Sequence, residues 1–117
     1  MTMGITYQEI LEADTEMASR FDKPKRFGLQ TLTAEEQNVL FDYIDESLEP
    51  TERVSFYSTS EYIAREATRH FRKLGMKTRI TNLMVKSAML LLGFEPSVPN
   101  VDILHYRAMP RKRGLSD

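Results

Sequence analysis

The spacing of apolar and polar residues in the first half of the chain predicts two amphipathic helices. Each opens with a capping box, at residues 6–9 and 33–36, in which a Thr hydroxyl and a Glu carboxylate satisfy free amides at a helix start. Pro24 and Gly28 interrupt the pattern between the helices, and the second helix should stop before Pro50. The apolar faces carry Ile10, Ala13, Met17 and Phe21 in the first helix, and Val39, Leu40, Tyr43, Ile44 and Leu48 in the second.

The second half alternates between extended and helical patterns. Residues 53–57 alternate apolar and polar side chains and predict a short strand. A third helix lies between N-cap candidates at residues 58–60 and Gly75, and a fourth runs from Thr81 or Asn82 to residue 92. The fourth helix is apolar nearly all round, so it must be packed on several sides. Residues 94–109 predict a hairpin.

This order predicts an α+β, mainly helical fold. From residue 33 onward it is the order of a winged helix-turn-helix: helix, short strand, two helices and a two-stranded wing. An extra N-terminal helix precedes it. We therefore divide the chain into an acidic helical arm (1–32), a winged-helix domain (33–109) and a basic flexible tail (110–117).

Composition excludes several classes of protein. The chain's 117 residues are enough for one domain. Because it has no cysteine, disulfide scaffolds and thiolate metal sites are excluded. It has no long apolar run and no basic, apolar leader, so we expect a cytoplasmic protein that does not enter a membrane. Glycine-rich nucleotide loops, nucleophile elbows and metalloprotease motifs are missing, so we expect neither an enzyme nor a bound cofactor or metal.

The formal net charge of −1 conceals a strong asymmetry. Residues 1–52 hold 12 acidic and 4 basic residues, a net of −8, whereas residues 53–117 hold 5 acidic and 12 basic residues, a net of +7. Such a division predicts two segments with different partners, or two faces that attract one another.

Basic residues form a stripe on the third helix, on a face away from the apolar one. Stripes of this kind bind phosphates through charge and counterion release, without reading sequence, although many are only solvated helix faces. The predicted phosphate contacts are Arg65, Arg69, Arg72, Lys73, Lys77, Arg79 and Lys86, with Tyr106 and Arg107 acting from the wing. Lys86 shares with Asn82 the one polar face of the fourth helix, which is left for solvent or a ligand.

Aromatic residues accompany this positive charge, as in proteins that stack single-stranded bases. Phe71 and Phe94 sit at core-like positions, whereas Tyr62 and Tyr106 are better candidates for a partly exposed platform. His70 is expected at a surface or boundary position.

Residues 79–96 resemble a known pattern. In Arg79-Ile80-Thr81-Asn82-Leu83-Met84-Val85-Lys86-Ser87-Ala88-Met89-Leu90-Leu91-Leu92-Gly93-Phe94-Glu95-Pro96, a Thr-Asn pair precedes a Lys-x-Ala-Met-Leu run that closes on Gly-Phe. This is similar to small proteins of Gram-positive phages and mobile elements, including winged-helix single-stranded-DNA-binding proteins of staphylococcal cassette elements. The match covers residues 62–107 and departs from the pattern at Val85 and Ser87. It implies that Thr81, Asn82 and Lys86 are the distinctive polar residues of a recognition-type helix.

The sequence thus predicts a non-catalytic DNA-binding protein of a phage or mobile element, a replication accessory that prefers single strands. One alternative is an inhibitor or adaptor that binds a replication or host protein through the acidic helices. Those acidic residues also suit the solvated outside of two helices, because acids in first turns favour the helix dipole. A second alternative is a duplex-reading transcription regulator, which requires a dimer and a palindromic site.

Overall fold

The structure is a computed structural model that describes residues 5–21, 23–51, 59–96 and 106–110. Its described part is mainly helical with little strand, which confirms the α+β, mainly helical class. The elements are α1 (Tyr7–Phe21), 3-10 turns at Lys25–Phe27 and Leu29–Thr31, α2 (Ala34–Ser47), β1 (Leu48–Pro50), α3 (Ser60–Lys73), α4 (Asn82–Leu91) and β2 (Ala108–Pro110). No helix in these residues has the length and apolar character needed to cross a bilayer.

Both capping boxes predicted in the first half are present. The amide of Glu9 donates to Thr6 Oγ1 at 3.1 Å, and the amide of Thr6 donates to Glu9 Oε1 at 2.8 Å. Thr33 and Glu36 exchange the same pair of bonds at the start of α2, at 3.1 and 2.8 Å. The free amides at both helix starts are therefore satisfied locally, which is why these starts can be predicted from sequence.

The helices of the second half also begin and end at predicted signals. Thr59 caps α3 by accepting from the Tyr62 amide at 3.0 Å, and Thr81 caps α4 by accepting from the Met84 amide at 3.1 Å. Gly75 and Gly93 follow the two helices with φ of 80° and 85°, the left-handed conformation that glycine adopts at a helix end.

One apolar core joins all four helices. It includes Ile10 of α1, Leu40 of α2, Phe71 of α3 and Met89 of α4. Phe71 and Phe94 are buried as predicted. Because α1 contributes to the same core as the later helices, the boundary predicted after residue 32 does not separate two cores.

The fourth helix is enclosed by its neighbours. Every residue of α4 from Leu83 to Met89 is buried, and α1 and α3 both pack against it. This confirms the expectation that an all-round apolar helix is covered on several sides. The polar face predicted for solvent or a ligand is not open to solvent at Lys86, because α1 packs against α4 and Lys86 is only 1% exposed.

Two short strands form an antiparallel pair, with Leu48 opposite Pro110 and Pro50 opposite Ala108. Pro96, just after α4, forms a bridge with Tyr106, just before β2. The predicted strand at 53–57, the turn of the predicted hairpin and the tail from residue 111 lie outside the described residues. The sequence pattern did not predict β1, because a three-residue strand containing Glu and Pro has no local signal.

Candidate nucleic-acid interface

A basic cleft of about 970 Å³ opens between α3, the start of α4 and the segment just after α1. Its lining carries the positive charges Lys23, Arg65, Arg69, Arg72, Arg79 and Lys86, and one negative charge, Glu61. The other lining residues are Phe27, Ala64, Thr68, Ile80, Thr81, Asn82 and Leu83. The cleft therefore presents a net positive charge of five to an incoming ligand.

One wall of the cleft is a single face of α3. Glu61, Arg65, Thr68 and Arg72 follow one another at four, three and four residues, so they fall within a narrow sector of the helix. The opposite face is buried in the core, which fixes the orientation of this wall. Arg69 lies at the margin, where its side chain is 61% exposed and lies 3.6 Å from the Glu66 carboxylate. An exposed pair of this kind contributes little to stability, so Arg69 can turn to a ligand at small cost.

A threonine fastens the connection between α3 and α4 to this wall. Thr68 Oγ1 accepts from the Ile80 amide at 2.9 Å and donates to the Ala64 carbonyl, also at 2.9 Å. The backbone carrying Arg79 is thereby held beside α3. The arginine charges on the two elements consequently face one cleft.

A second threonine joins the opposite wall to α4. Thr81 Oγ1 donates to the Phe27 carbonyl at 2.5 Å while it caps α4. The Phe27 amide in turn donates to the Pro24 carbonyl at 3.1 Å within the first 3-10 turn. The segment that contributes Lys23 and Phe27 is thus hydrogen-bonded to the start of α4.

A buried carboxylate anchors the other end of that segment. Asp14 of α1 is fully buried, and its two oxygens accept from the amides of Leu29 at 2.9 Å and Gln30 at 2.7 Å. Gly28 passes so close that a Cβ there would lie 2.4 Å from the carboxyl carbon of Asp14. Asp14, one of the 12 acidic residues of the first half of the chain, therefore holds the cleft wall from inside.

Lys86 lies at the inner end of the cleft and not at its surface. Its Nζ is 3.6 Å from the centroid of the Phe21 ring, a cation–π contact between α4 and the end of α1. At 1% exposure, Lys86 adds positive potential to the cleft but does not reach a ligand directly.

The predicted site residues fall into two groups. The cleft brings together seven of them: Arg65, Arg69, Arg72, Arg79, Thr81, Asn82 and Lys86. Lys73, Lys77 and Arg107 are exposed but do not line it.

Tyr106 requires a correction. It was expected as a partly exposed platform, yet it is 1% exposed and part of the core, and burial raises the pKa of its hydroxyl. The prediction is wrong because Tyr106 lies where the chain meets Pro96 and enters β2, a long-range pairing that strand alternation does not reveal. Tyr62 is half-buried, with the Arg65 guanidinium 5.8 Å from its ring centroid.

Sequence reasoning missed two residues of the opposite wall, Lys23 and Phe27. Both lie in the run Lys23-Pro24-Lys25-Arg26-Phe27-Gly28, whose proline and glycine predict only a break between helices. The signal in this run is the combination of basic residues with an aromatic one, the residue types that line grooves for single strands.

One carboxylate of the acidic half, that of Glu36, is engaged in hydrogen bonds within the fold. Thr78 Oγ1 donates to the Glu36 carboxylate, and this bond, with that from the Thr33 amide, holds the pKa of Glu36 below its usual range.

His70 is half-buried, as expected for a boundary residue, and stacks on Tyr43 with the ring centroids 4.7 Å apart. No group of three metal-ligating side chains occurs within the described ranges.

Comparisons with family models, with curated proteins and with solved structures returned no match to this chain. The interpretation of the cleft therefore depends on its own geometry and charge.

Proposed function

We propose that the chain binds single-stranded DNA in the basic cleft, without catalysis. The observation that carries this proposal is the cleft lining, where six cationic side chains from four segments of the chain line one space that holds a single carboxylate. Cationic grooves of this kind follow a phosphate backbone and gain affinity by releasing its counterions. The resemblance to small proteins of phages and mobile elements makes a replication accessory role the matching biological setting.

The dimensions of the cleft favour a single strand. Pockets for small molecules run to roughly 1,000 Å³, so a cleft of about 970 Å³ is large enough for a few unpaired nucleotides. The burial of α4 also argues against the duplex-reading alternative. A helix that enters a major groove needs a free face, whereas Leu83 to Met89 are covered.

We also propose a winged-helix arrangement for the chain from residue 33. β1 follows α2 and pairs with β2, and Pro96 after α4 bridges Tyr106 before β2. This pairing, in which β1 also packs against α2, supports the order of a short strand and a two-stranded wing. In this arrangement the cleft lies between α3 and the start of α4, and α1 covers much of the remaining surface of α4.

Fluorescence anisotropy with labelled oligothymidylate and with a duplex of equal length tests the proposal. If the five accessible cations of the cleft neutralise about five phosphates, the logarithm of affinity should fall with the logarithm of salt at a slope of roughly −3.5. Between 50 and 200 mM salt this corresponds to a loss of roughly 100-fold. Duplex should bind more weakly.

Two matched double variants locate the site. Arg65→Gln with Arg72→Gln removes two charges that line the cleft, whereas Lys73→Gln with Lys77→Gln removes two charges that do not. The first pair should weaken binding and reduce the salt slope by roughly 1.4, and the second should leave the slope nearly unchanged. Absence of salt-dependent binding by the unmodified protein, or equal effects of the two pairs, would contradict the cleft as the binding site.

A further inference from the structure

We propose that Phe27 is a base-stacking platform of the cleft and that it determines the preference for single-stranded over duplex DNA. This inference depends on the proposed function of the same cleft. The sequence pattern predicts no role for Phe27, and of the two aromatic residues that it favours as platforms, Tyr106 is buried and Tyr62 is half-buried.

Phe27 is unusual among the large apolar side chains. Four of those described are exposed, namely Tyr7, Phe27, Leu74 and Leu90. Only Phe27 of these four lines the cleft, where it is 42% exposed among cationic side chains. An exposed aromatic ring within a positively charged cleft is the combination that binds single strands, because each base offers a π face and each linkage a phosphate.

The backbone that carries the ring is held on both sides. Before it, the 3-10 turn is closed by the bond from the Phe27 amide to the Pro24 carbonyl. At Phe27 the backbone carbonyl accepts a hydrogen bond from Thr81 Oγ1. After Phe27 the Asp14 carboxylate accepts hydrogen bonds from the amides of Leu29 and Gln30. Because this backbone is held in advance, less conformational entropy is lost when a base stacks on the ring.

A neighbouring arginine adds charge next to this stacking surface. The Arg26 guanidinium carbon is 5.1 Å from the centroid of the Phe27 ring. Because this cation lies over one face of the ring, a base stacks on the other face, and the arginine adds positive charge beside the cleft. In a duplex the faces of the bases are already stacked on one another, so only a single strand gains from the ring.

The first experiment separates stacking from charge. Phe27→Ala and a control, Tyr7→Ala, are titrated with labelled oligothymidylate and with an abasic strand of the same length and phosphate number. Tyr7 is a suitable control because it is exposed and lies outside the cleft lining. Phe27→Ala should lower affinity for oligothymidylate by roughly 5- to 150-fold and leave affinity for the abasic strand unchanged. Tyr7→Ala should change neither.

A second variant guards against a folding defect in the first. The chain contains no tryptophan, so Phe27→Trp introduces a single tryptophan, which can be excited apart from the five tyrosines, while keeping an aromatic platform. Its emission should be quenched on addition of oligothymidylate and not on addition of the abasic strand, and its affinity should match that of the unmodified protein.

The outcomes distinguish the two proposals. If Phe27→Ala binds oligothymidylate normally, or Phe27→Trp binds it without quenching, the platform is refuted while the cleft charge remains as the binding determinant. If the unmodified protein binds neither strand, both the platform and the proposed function fail. Equal losses of Phe27→Ala on the thymidylate and abasic strands would also refute stacking.

Discussion

Substitutions at Asp14 and Gly28 test most directly whether the buried carboxylate anchors the wall of the cleft. Replacing Asp14 by Ala leaves the amides of Leu29 and Gln30 buried without their carboxylate acceptor. Bonds to a charged group are worth about 1.5–3 kcal/mol each, and release of the buried carboxylate from its desolvation cost offsets part of the sum. We therefore expect Asp14→Ala to lower the free energy of unfolding by about 3 kcal/mol.

The partner substitution acts through volume alone. Gly28 has an ordinary φ of −93°, so Gly28→Ala introduces no left-handed strain, but its Cβ would lie 2.4–2.6 Å from the Asp14 carboxyl atoms. Overpacking of this kind costs about 1–3 kcal/mol. In the Asp14→Ala background the obstructing carboxylate is gone, and Gly28→Ala should cost almost nothing.

Urea unfolding of the four proteins, followed by circular dichroism, measures this double-mutant cycle. The losses in free energy of unfolding of the two single variants should add up to more than the loss in the double variant. The difference, which is the coupling energy, should be about 1–3 kcal/mol. The thermal midpoint of Asp14→Ala should fall by roughly 10 °C. Glu12→Ala, an exposed change on the same helix, is the control. Additive effects, or a loss below about 1 kcal/mol for Asp14→Ala, would refute the proposed anchoring.

Two further predictions concern contacts beside the cleft. Because hydrogen bonds lower the folded-state pKa of Glu36, its charge stabilises the fold above about pH 4.3, and this contribution is lost as the pH falls through the lowered value. In urea titrations, Glu36→Gln should therefore be less stable than the unmodified protein at pH 7, and the difference should shrink toward pH 3. The control Glu35→Gln, at an exposed neighbouring position, should show no such dependence on pH. Phe21→Leu should lower the free energy of unfolding by about 1–2 kcal/mol, because it removes the ring under the Lys86 ammonium. In a Lys86→Met background the same substitution should cost less. Equal losses in the two backgrounds would rule out the cation–π contribution.

The helices were predictable because their signals are local. Capping boxes at Thr6 and Thr33, hydroxyl caps at Thr59 and Thr81, and a following glycine act within one turn of chain. The cationic face of α3 was predictable for the same reason, since helical periodicity alone groups its arginines.

The features that sequence missed depend on contacts between distant segments. β1 exists only through its pairing with β2, about 60 residues later, and Lys86 is buried only because α1 covers it. Asp14 did carry a signal. It lies four residues after Ile10 and three before Met17, so it sits inside the apolar stripe of α1, where a charge implies a buried partner.

These long-range contacts change the meaning of the charge asymmetry. The acidic half supplies Asp14, whose carboxylate orders the segment that carries Lys23 and Phe27. It also supplies α1, which covers α4 and leaves the face of α3 as the exposed cationic surface. A carboxylate on the outside of α1 would repel a phosphate ligand, whereas one buried against two amides builds the wall that faces it. The proposed DNA site is therefore a joint product of both halves, because the +7 half alone lacks the wall and the aromatic ring.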